Sequence, residues 1–280
     1  MIDKGCERMK KGINIWSFKK GMRIEECITI SKKAGFEGIE LSLNEQGEIN
    51  LYSKEKEVIT IKNFARDVGI EIPSLASGLY WKYSFTSCDP KIRQKAKEIA
   101  IKQLEIAKLL GADTVLMVPG VVDEEVGYDR AFERALEAFS ELKEYAEKLE
   151  VHIGLENVWN KFLLSPLEFK DFIDKVDSPF VGIYLDVGNV VYTGYPEQWI
   201  KILGKRIKKV HFKDFRRSIG NINGFVDLLS GDVNFPAVMR AFTTTGYNDY
   251  VIAEMMPYSY YEDQVVYNTS KAMDRILTQK

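Results

Sequence analysis

A chain of 280 residues with 39 Lys and Arg against 41 Asp and Glu has a formal net charge of −2, which excludes a generic polyanion binder. Its 45% hydrophobic, 29% charged and 12% aromatic residues, with only eight prolines, exclude the disordered, collagen-like and disulfide-rich classes. The length suits either two small domains or one barrel of about 250 residues.

There are two histidines, His152 and His211, so any site needing three or more His ligands is excluded. Cys6, Cys27 and Cys88 show no CxxC spacing and read as reduced thiols of a cytoplasmic protein. The start, MIDKGCERMKKG, reads as a charged overhang over residues 1–10 and not as a secretion signal, with the catalytic domain expected over 11–280. No apolar run approaches the roughly 20 residues of a membrane span, so no membrane role is expected.

In chain order, short runs rich in Ile, Val and Leu alternate with amphipathic stretches. Strands are predicted at 12–18, 35–43, 70–77, 113–120, 151–158, 180–189, 207–214 and 250–256. Helices are predicted at 22–34, 54–68, 90–110, 128–149, 166–176, 196–204, 234–245 and 262–278. Asp89-Pro90 and Ser165-Pro166 are helix starts, in which a capping side chain precedes a proline whose missing N–H costs nothing in the first turn. Gly35, Gly69, Gly111 and Gly246 stand where helices should stop. Eight strand-then-helix units without a linker predict a single (β/α)8 barrel. The competing doubly wound sheet lacks a GxGxxG turn after its first strand, and no P-loop pattern is present.

Barrel chemistry is built at the C-terminal ends of the strands. The last four end at Glu156, Asp186, His211 and Glu254, and consecutive strands are neighbours in a barrel wall, so these side chains are expected to converge. Alternation puts Leu155, Leu185, Ala253 and Met255 on the helix-facing side. Three carboxylates and one imidazole suit a divalent ion of the Mn, Mg or Co type and give no thiolate reason to prefer zinc. Taken singly, each carboxylate could equally cap a helix or pair with a lysine; four in register favour one divalent ion per subunit.

The segments GLENVWN, YLDVGN, VHFKD and VIAEMM, in that order, resemble the sugar (phosphate) isomerase/epimerase group with the xylose isomerase-like barrel. The chain is most similar to its ketose 3-epimerases, including pentulose-5-phosphate 3-epimerases, over nearly the whole length, GFEGIEL and GDVNFPAVMRAFTTTGY included. The resemblance implies that Glu156, Asp186, His211 and Glu254 bind the metal, that Glu156 and Glu254 are the acid/base pair, and that Arg217 lies near the substrate's C2 oxygen. Asn189 stands where free-ketose epimerases carry a histidine, and Phe162 where they carry a second acidic group, so the chain is more like the sugar-phosphate members. The implied reaction is 3-epimerisation of a ketose or ketose phosphate through an enediolate, with two bases on opposite sides of one carbon. It also implies a homodimer or homotetramer.

Other residues carry two readings. Trp16, Tyr80, Trp81, Tyr83 and Phe85 either wall a sugar pocket or dimer contact, or simply pack on each other. Lys213, Arg216 and Arg217 could meet a phosphate, with solvated charge as the plainer reading of Lys213 and Arg216. Glu40 reaches the mouth or pairs with a barrel lysine, and His152 is an interior histidine without a role. The competing functions are an aldose–ketose isomerase or inosose dehydratase on the same site, and a non-enzymatic sugar-binding barrel. A trinuclear zinc nuclease needs more histidines than two, so no nucleic-acid partner is expected.

Overall fold

The computed structural model describes residues 8–278. In chain order its elements are β1 (Lys10–Asn14), α1 (Ile24–Ala34), β2 (Gly38–Ser42), α2 (Glu55–Val68), β3 (Ser74–Ala76), α3 (Pro90–Leu110), β4 (Thr114–Met117), α4 (Tyr128–Leu149), β5 (His152–Glu156) and α5 (Pro166–Val176). They continue as β6 (Val181–Asp186), α6 (Val187–Val191), α7 (Pro196–Leu203), β7 (Ile207–Phe212), β8 (Asp214–Phe215), β9 (Phe225–Val226), α8 (Phe235–Thr245), β10 (Tyr250–Ala253) and α9 (Gln264–Leu277). Eight parallel strands close in the order β1-β10-β7-β6-β5-β4-β3-β2, which is the expected barrel, while β8 and β9 form a small antiparallel hairpin above it.

Helix boundaries follow the local chemistry. Asp89 and Ser165 accept from Lys91 N and Glu168 N ahead of Pro90 and Pro166, so each proline occupies a first-turn position. Gly35, Gly69, Gly111 and Gly246 close their helices in the left-handed conformation. The strands are shorter than expected, for local reasons. Asn14 accepts from Trp16 N at 2.6 Å and turns Ile15–Ser17 into a 3-10 turn, ending β1 early. β3 begins only after Pro73, which has no N–H to give to the ladder. β1 starts at Lys10, so the last residue of the expected overhang belongs to the barrel; residues 1–7 lie outside the described residues.

Leu155, Leu185, Ala253 and Met255 sit in the large core between sheet and helices. A separate small layer of Ala76, Leu116, Tyr184, Tyr250 and Ile252 fills the barrel interior, and Trp16 packs on it. Tyr80 and Phe85 are buried and stack at 5.0 Å, and Phe85 packs on Phe139, so these two belong to the outer core and do not wall a pocket. Phe162 is likewise core, packed on Tyr128, Phe132 and Phe172. His152 stacks on Phe180 at the start of β5. Among the described residues, no helix is long and apolar enough to cross a membrane.

Candidate metal centre and active site

Four adjacent strands, β5, β6, β7 and β10, present one polar side chain each near the C-terminal end. Glu156 and Asp186 are the last residues of β5 and β6, His211 lies opposite both Asp186 and Ile252 in the ladders, and Glu254 directly follows β10. The sequence-predicted quartet therefore comes together: one ligand atom from each lies within 4.8 Å of the others.

Asp186 Oδ2, His211 Nδ1 and Glu254 Oε2 are buried and make no hydrogen bond. His211 Nδ1 stands 3.1 Å from Glu254 Oε2 and 3.8 Å from Glu156 Oε1, close but without hydrogen-bond geometry to the former. Buried polar atoms left without partners are costly. His211 Nδ1 and Glu254 Oε2, without a hydrogen bond, and Asp186 Oδ2, met only by the Lys213 ammonium, converge in a set of carboxylate oxygens and one imidazole that fits a divalent cation.

The site is held by residues beyond the quartet. His211 Nε2 lies 2.7 Å from Glu40 Oε2, which fixes Nε2 as the protonated nitrogen and turns Nδ1 toward the carboxylates. Glu40 is fully buried, and its carboxylate also accepts from Asn14, from Ser74 at 2.7 Å and from Tyr184 at 2.6 Å. Its oxygens are spent on the barrel interior, which assigns it to the support of His211 and not to substrate contact. Asn157 ties the ends of β5 and β6 together, accepting from Asp186 N at 2.8 Å and donating to Asp186 O at 2.9 Å. Asn189 N donates to Asp186 Oδ1 at 2.8 Å, and the Asn189 side chain donates to Asn157 O at 3.1 Å and Glu156 Oε1 at 3.4 Å.

Lys213 is the strongest departure from expectation. On the same face of the chain as His211, its ammonium lies 2.9 Å from Glu254 Oε1 and 3.0 Å from Asp186 Oδ2. It is bound to two of the quartet and not free for a phosphate. The close approach needs Gly188, since a Cβ there would stand 2.5 Å from Lys213 Cβ. Arg217 Nε donates to Val191 O at 3.0 Å, with its guanidinium 5.0 Å from the Tyr195 ring centre, and Arg216 donates to Ser230 O at 2.8 Å. Asp214 laces the loop above β7 by accepting from Phe215 N, Gly231 N and Val233 N.

The carboxylates differ in environment. Burial pushes the Glu156 carboxyl up despite the neighbouring His211 and Lys213. At Glu254 burial acts in the same sense but is outweighed by Lys213 and His211, which hold the carboxyl down at about 2. Burial likewise opposes charge on Lys213, and Asp186, Glu254 and Glu156 overcome it and raise the ammonium above its ordinary range. The Lys213 ammonium offsets part of the charge of the three carboxylates of the quartet, and a divalent cation would offset the rest.

The residues missed from sequence were Asn157, Ser74 and Tyr184. The ENVWN and YLD patterns place Asn157 beside one quartet member and Tyr184 on the inward parity of another, which is the only local signal; Ser74 gives none.

The model of the xylose isomerase-like TIM barrel family matches residues 28–275. The L-ribulose-5-phosphate 3-epimerase of Salmonella heidelberg is 22% identical over 255 residues, covering 88% of each chain. Among solved structures, the D-psicose 3-epimerase of Clostridium cellulolyticum H10 with D-tagatose superimposes with a TM-score of 0.81 at 18% identity, covering 96% of this chain and 98% of that one. An IOLI protein structure with a bound zinc atom does so with a TM-score of 0.81 at 20% identity, covering 96% and 98%. Likeness at that identity shows the fold, and the family match over most of the chain shows the rest: the chain belongs to the xylose isomerase-like TIM barrel family.

Proposed function

We propose that this protein is a metal-dependent 3-epimerase of a ketose or ketose phosphate. It is an enzyme of the isomerase class, as its relatives and structural neighbours are. The observation that carries the reading is the approach of Glu156 and Glu254, from β5 and β10, to the same nitrogen of His211. They enter from either side of the strands that carry Asp186 and His211, as two-sided proton transfer at one carbon requires.

Glu156, Asp186, His211 and Glu254 would hold the cation, with manganese the ion of choice and magnesium, cobalt or zinc as substitutes. When bound, such an ion supplies charge stabilisation to adjacent substrate oxygens. One of Glu156 and Glu254 removes the C3 proton and the other returns a proton to the opposite face, the roles exchanging with reaction direction. Lys213 keeps Glu254 ionised and in place and adds positive charge where the enediolate develops. Trp16, at the mouth, Asn189, beside Glu156, and Arg217, on the lip between the β6 and β7 loops, are the substrate contacts in this reading. A cytoplasmic homodimer or homotetramer completes it.

The test is turnover of ketoses and ketose phosphates in deuterated water with Mn²⁺ added. Deuterium at C3 of the product is expected. Deuterium at C1 or C2 replaces the reading with aldose–ketose isomerisation, and no turnover of any ketose overturns it. Near-full activity in Glu156→Gln or Glu254→Gln sinks the two-base scheme.

A further inference from the structure

We infer that the protein carries an anion subsite for the terminal phosphate of its substrate, in the cavity between the loops that follow β1 and β2. The inference rests on the ketose reading above and narrows it to a phosphorylated sugar. The cavity holds about 900 Å³ and is lined by Trp16, Lys19, Lys20, Arg23, Ser42 and Glu48, among others.

Four observations lead there. The first is an unsatisfied hydroxyl: Ser42 is 4% exposed, and its Oγ is buried without a hydrogen-bond partner. A buried hydroxyl of this kind, lining a cavity, calls for a ligand atom. The second is charge. Three cations line the cavity against one acid, Glu48. Lys19 is engaged by Glu262 at 2.8 Å and Arg23 by Glu25, whereas Lys20 is exposed and has no carboxylate within ion-pair distance among the described residues.

The third is the N-terminus of α1, which opens onto the cavity and has no side-chain cap from Arg23. Ile24 N donates to Glu48 Oε1 at 2.8 Å, so this helix end already binds an anionic oxygen. A phosphate dianion, with more acceptor oxygens than a carboxylate, would take the place of Glu48.

The fourth is position. Ser42 lies on the inward parity of Glu40, two residues closer to the mouth, which is about 7 Å along a strand. Glu40 touches His211, so the hydroxyl lies mouthward on the strand that supports the metal centre. Trp16 joins the two regions: it packs on the interior layer that includes Tyr184 and also lines the cavity. The basic residues after β7 are otherwise engaged: Lys213 by Asp186 and Glu254, Arg216 by Ser230 O, and Arg217, bonded to Val191 O, by the sugar contact assigned to it above.

The test uses the Mn²⁺-loaded enzyme and its Lys20→Ala and Ser42→Ala variants. Lys20 is exposed, so its variant keeps the fold. Calorimetric titration with inorganic phosphate is expected to show binding to the parent enzyme, weakened at least fivefold in each variant. In parallel, the ratio of kcat/KM for a pentulose 5-phosphate to that for the free pentulose is expected to fall at least tenfold in Lys20→Ala. No phosphate binding to the parent enzyme, or binding and ratio both unchanged in the variants, overturns the subsite. If neither sugar is turned over while phosphate binding is still lost in Lys20→Ala, the epimerase reading fails and the subsite stands.

Discussion

Glu40 and His211 meet at 2.7 Å in the centre of the barrel, both fully buried, from β2 and β7 on opposite sides of the closed sheet. A carboxylate on the distal nitrogen of a metal-binding imidazole fixes its tautomer and ring plane, and losing it typically lowers metal affinity about 10- to 100-fold. Glu40→Gln keeps the shape and an acceptor oxygen, so it is expected to fold and to bind Mn²⁺ about tenfold more weakly by calorimetry. Glu40→Ala leaves Asn14 without its carboxylate partner and Ser74 and Tyr184 with only their mutual 3.2 Å contact, and each orphaned buried group costs about 1–3 kcal/mol. Equal metal affinity in Glu40→Gln and the parent protein would show the contact to be merely structural.

Lys213 makes two predictions of opposite sign. As a cation bound to Asp186 and Glu254, it repels a metal ion from the same carboxylates, so Lys213→Met is expected to bind Mn²⁺ several-fold more tightly. In the proposed reaction it is a charge beside the reacting carbon, so its removal is expected to lower kcat by about 10²-fold, the usual cost of losing one preorganised electrostatic partner. Tighter metal with slower turnover separates this role from a phosphate contact. A phosphate contact would instead raise KM for the phosphorylated sugar alone.

Chelation is expected to abolish activity and to lower Tm. Without a cation, His211 Nδ1 and Glu254 Oε2 are left without a hydrogen bond, and a ligand present at about 100 times its Kd stabilises the folded state by about 2.7 kcal/mol. For a chain of this size that corresponds to a shift of roughly 5 °C. A melting curve indifferent to chelator and to added Mn²⁺ would count against a resident ion.

The barrel and the quartet were legible because both are written in local pattern. Asp89-Pro90 and Ser165-Pro166 set helix starts from adjacent residues, and Glu156, Asp186, His211 and Glu254 each stand near the C-terminal end of a strand pattern. The support of the site was not legible. Glu40 reaches His211 only because the sheet closes, and no spacing along β2 encodes a partner 171 residues away. Lys213 lies on the His211 parity, yet the pattern cannot say that its long side chain folds back onto Asp186 and Glu254. Strand ends misjudged at Asn14 and Pro73 were decided by a side-chain turn and a missing N–H, each overriding the apolar run.

Two residues before His211 on β7, Lys209 tests which face of the barrel serves stability alone. Its side chain is fully buried, with Nζ 2.6 Å from Asp249 Oδ2 and 2.9 Å from Asp113 Oδ1, so the ammonium points to the starts of β10 and β4, away from the mouth. Removing both carboxylates strands a buried ammonium, and breaking a buried pair in this way costs about 3–5 kcal/mol. Either single variant, Asp113→Ala or Asp249→Ala, is expected to cost much less, because the remaining carboxylate still neutralises the charge and both are partly solvent-screened. Replacing the lysine removes the need for partners, so Lys209→Met is expected to lie within about 1 kcal/mol of the parent or above it in stability. Chemical denaturation would rank the variants as Lys209→Met, then the single carboxylate variants, then the double. If the double variant matched the singles, the ammonium would have to be satisfied by water entering at the bottom of the barrel.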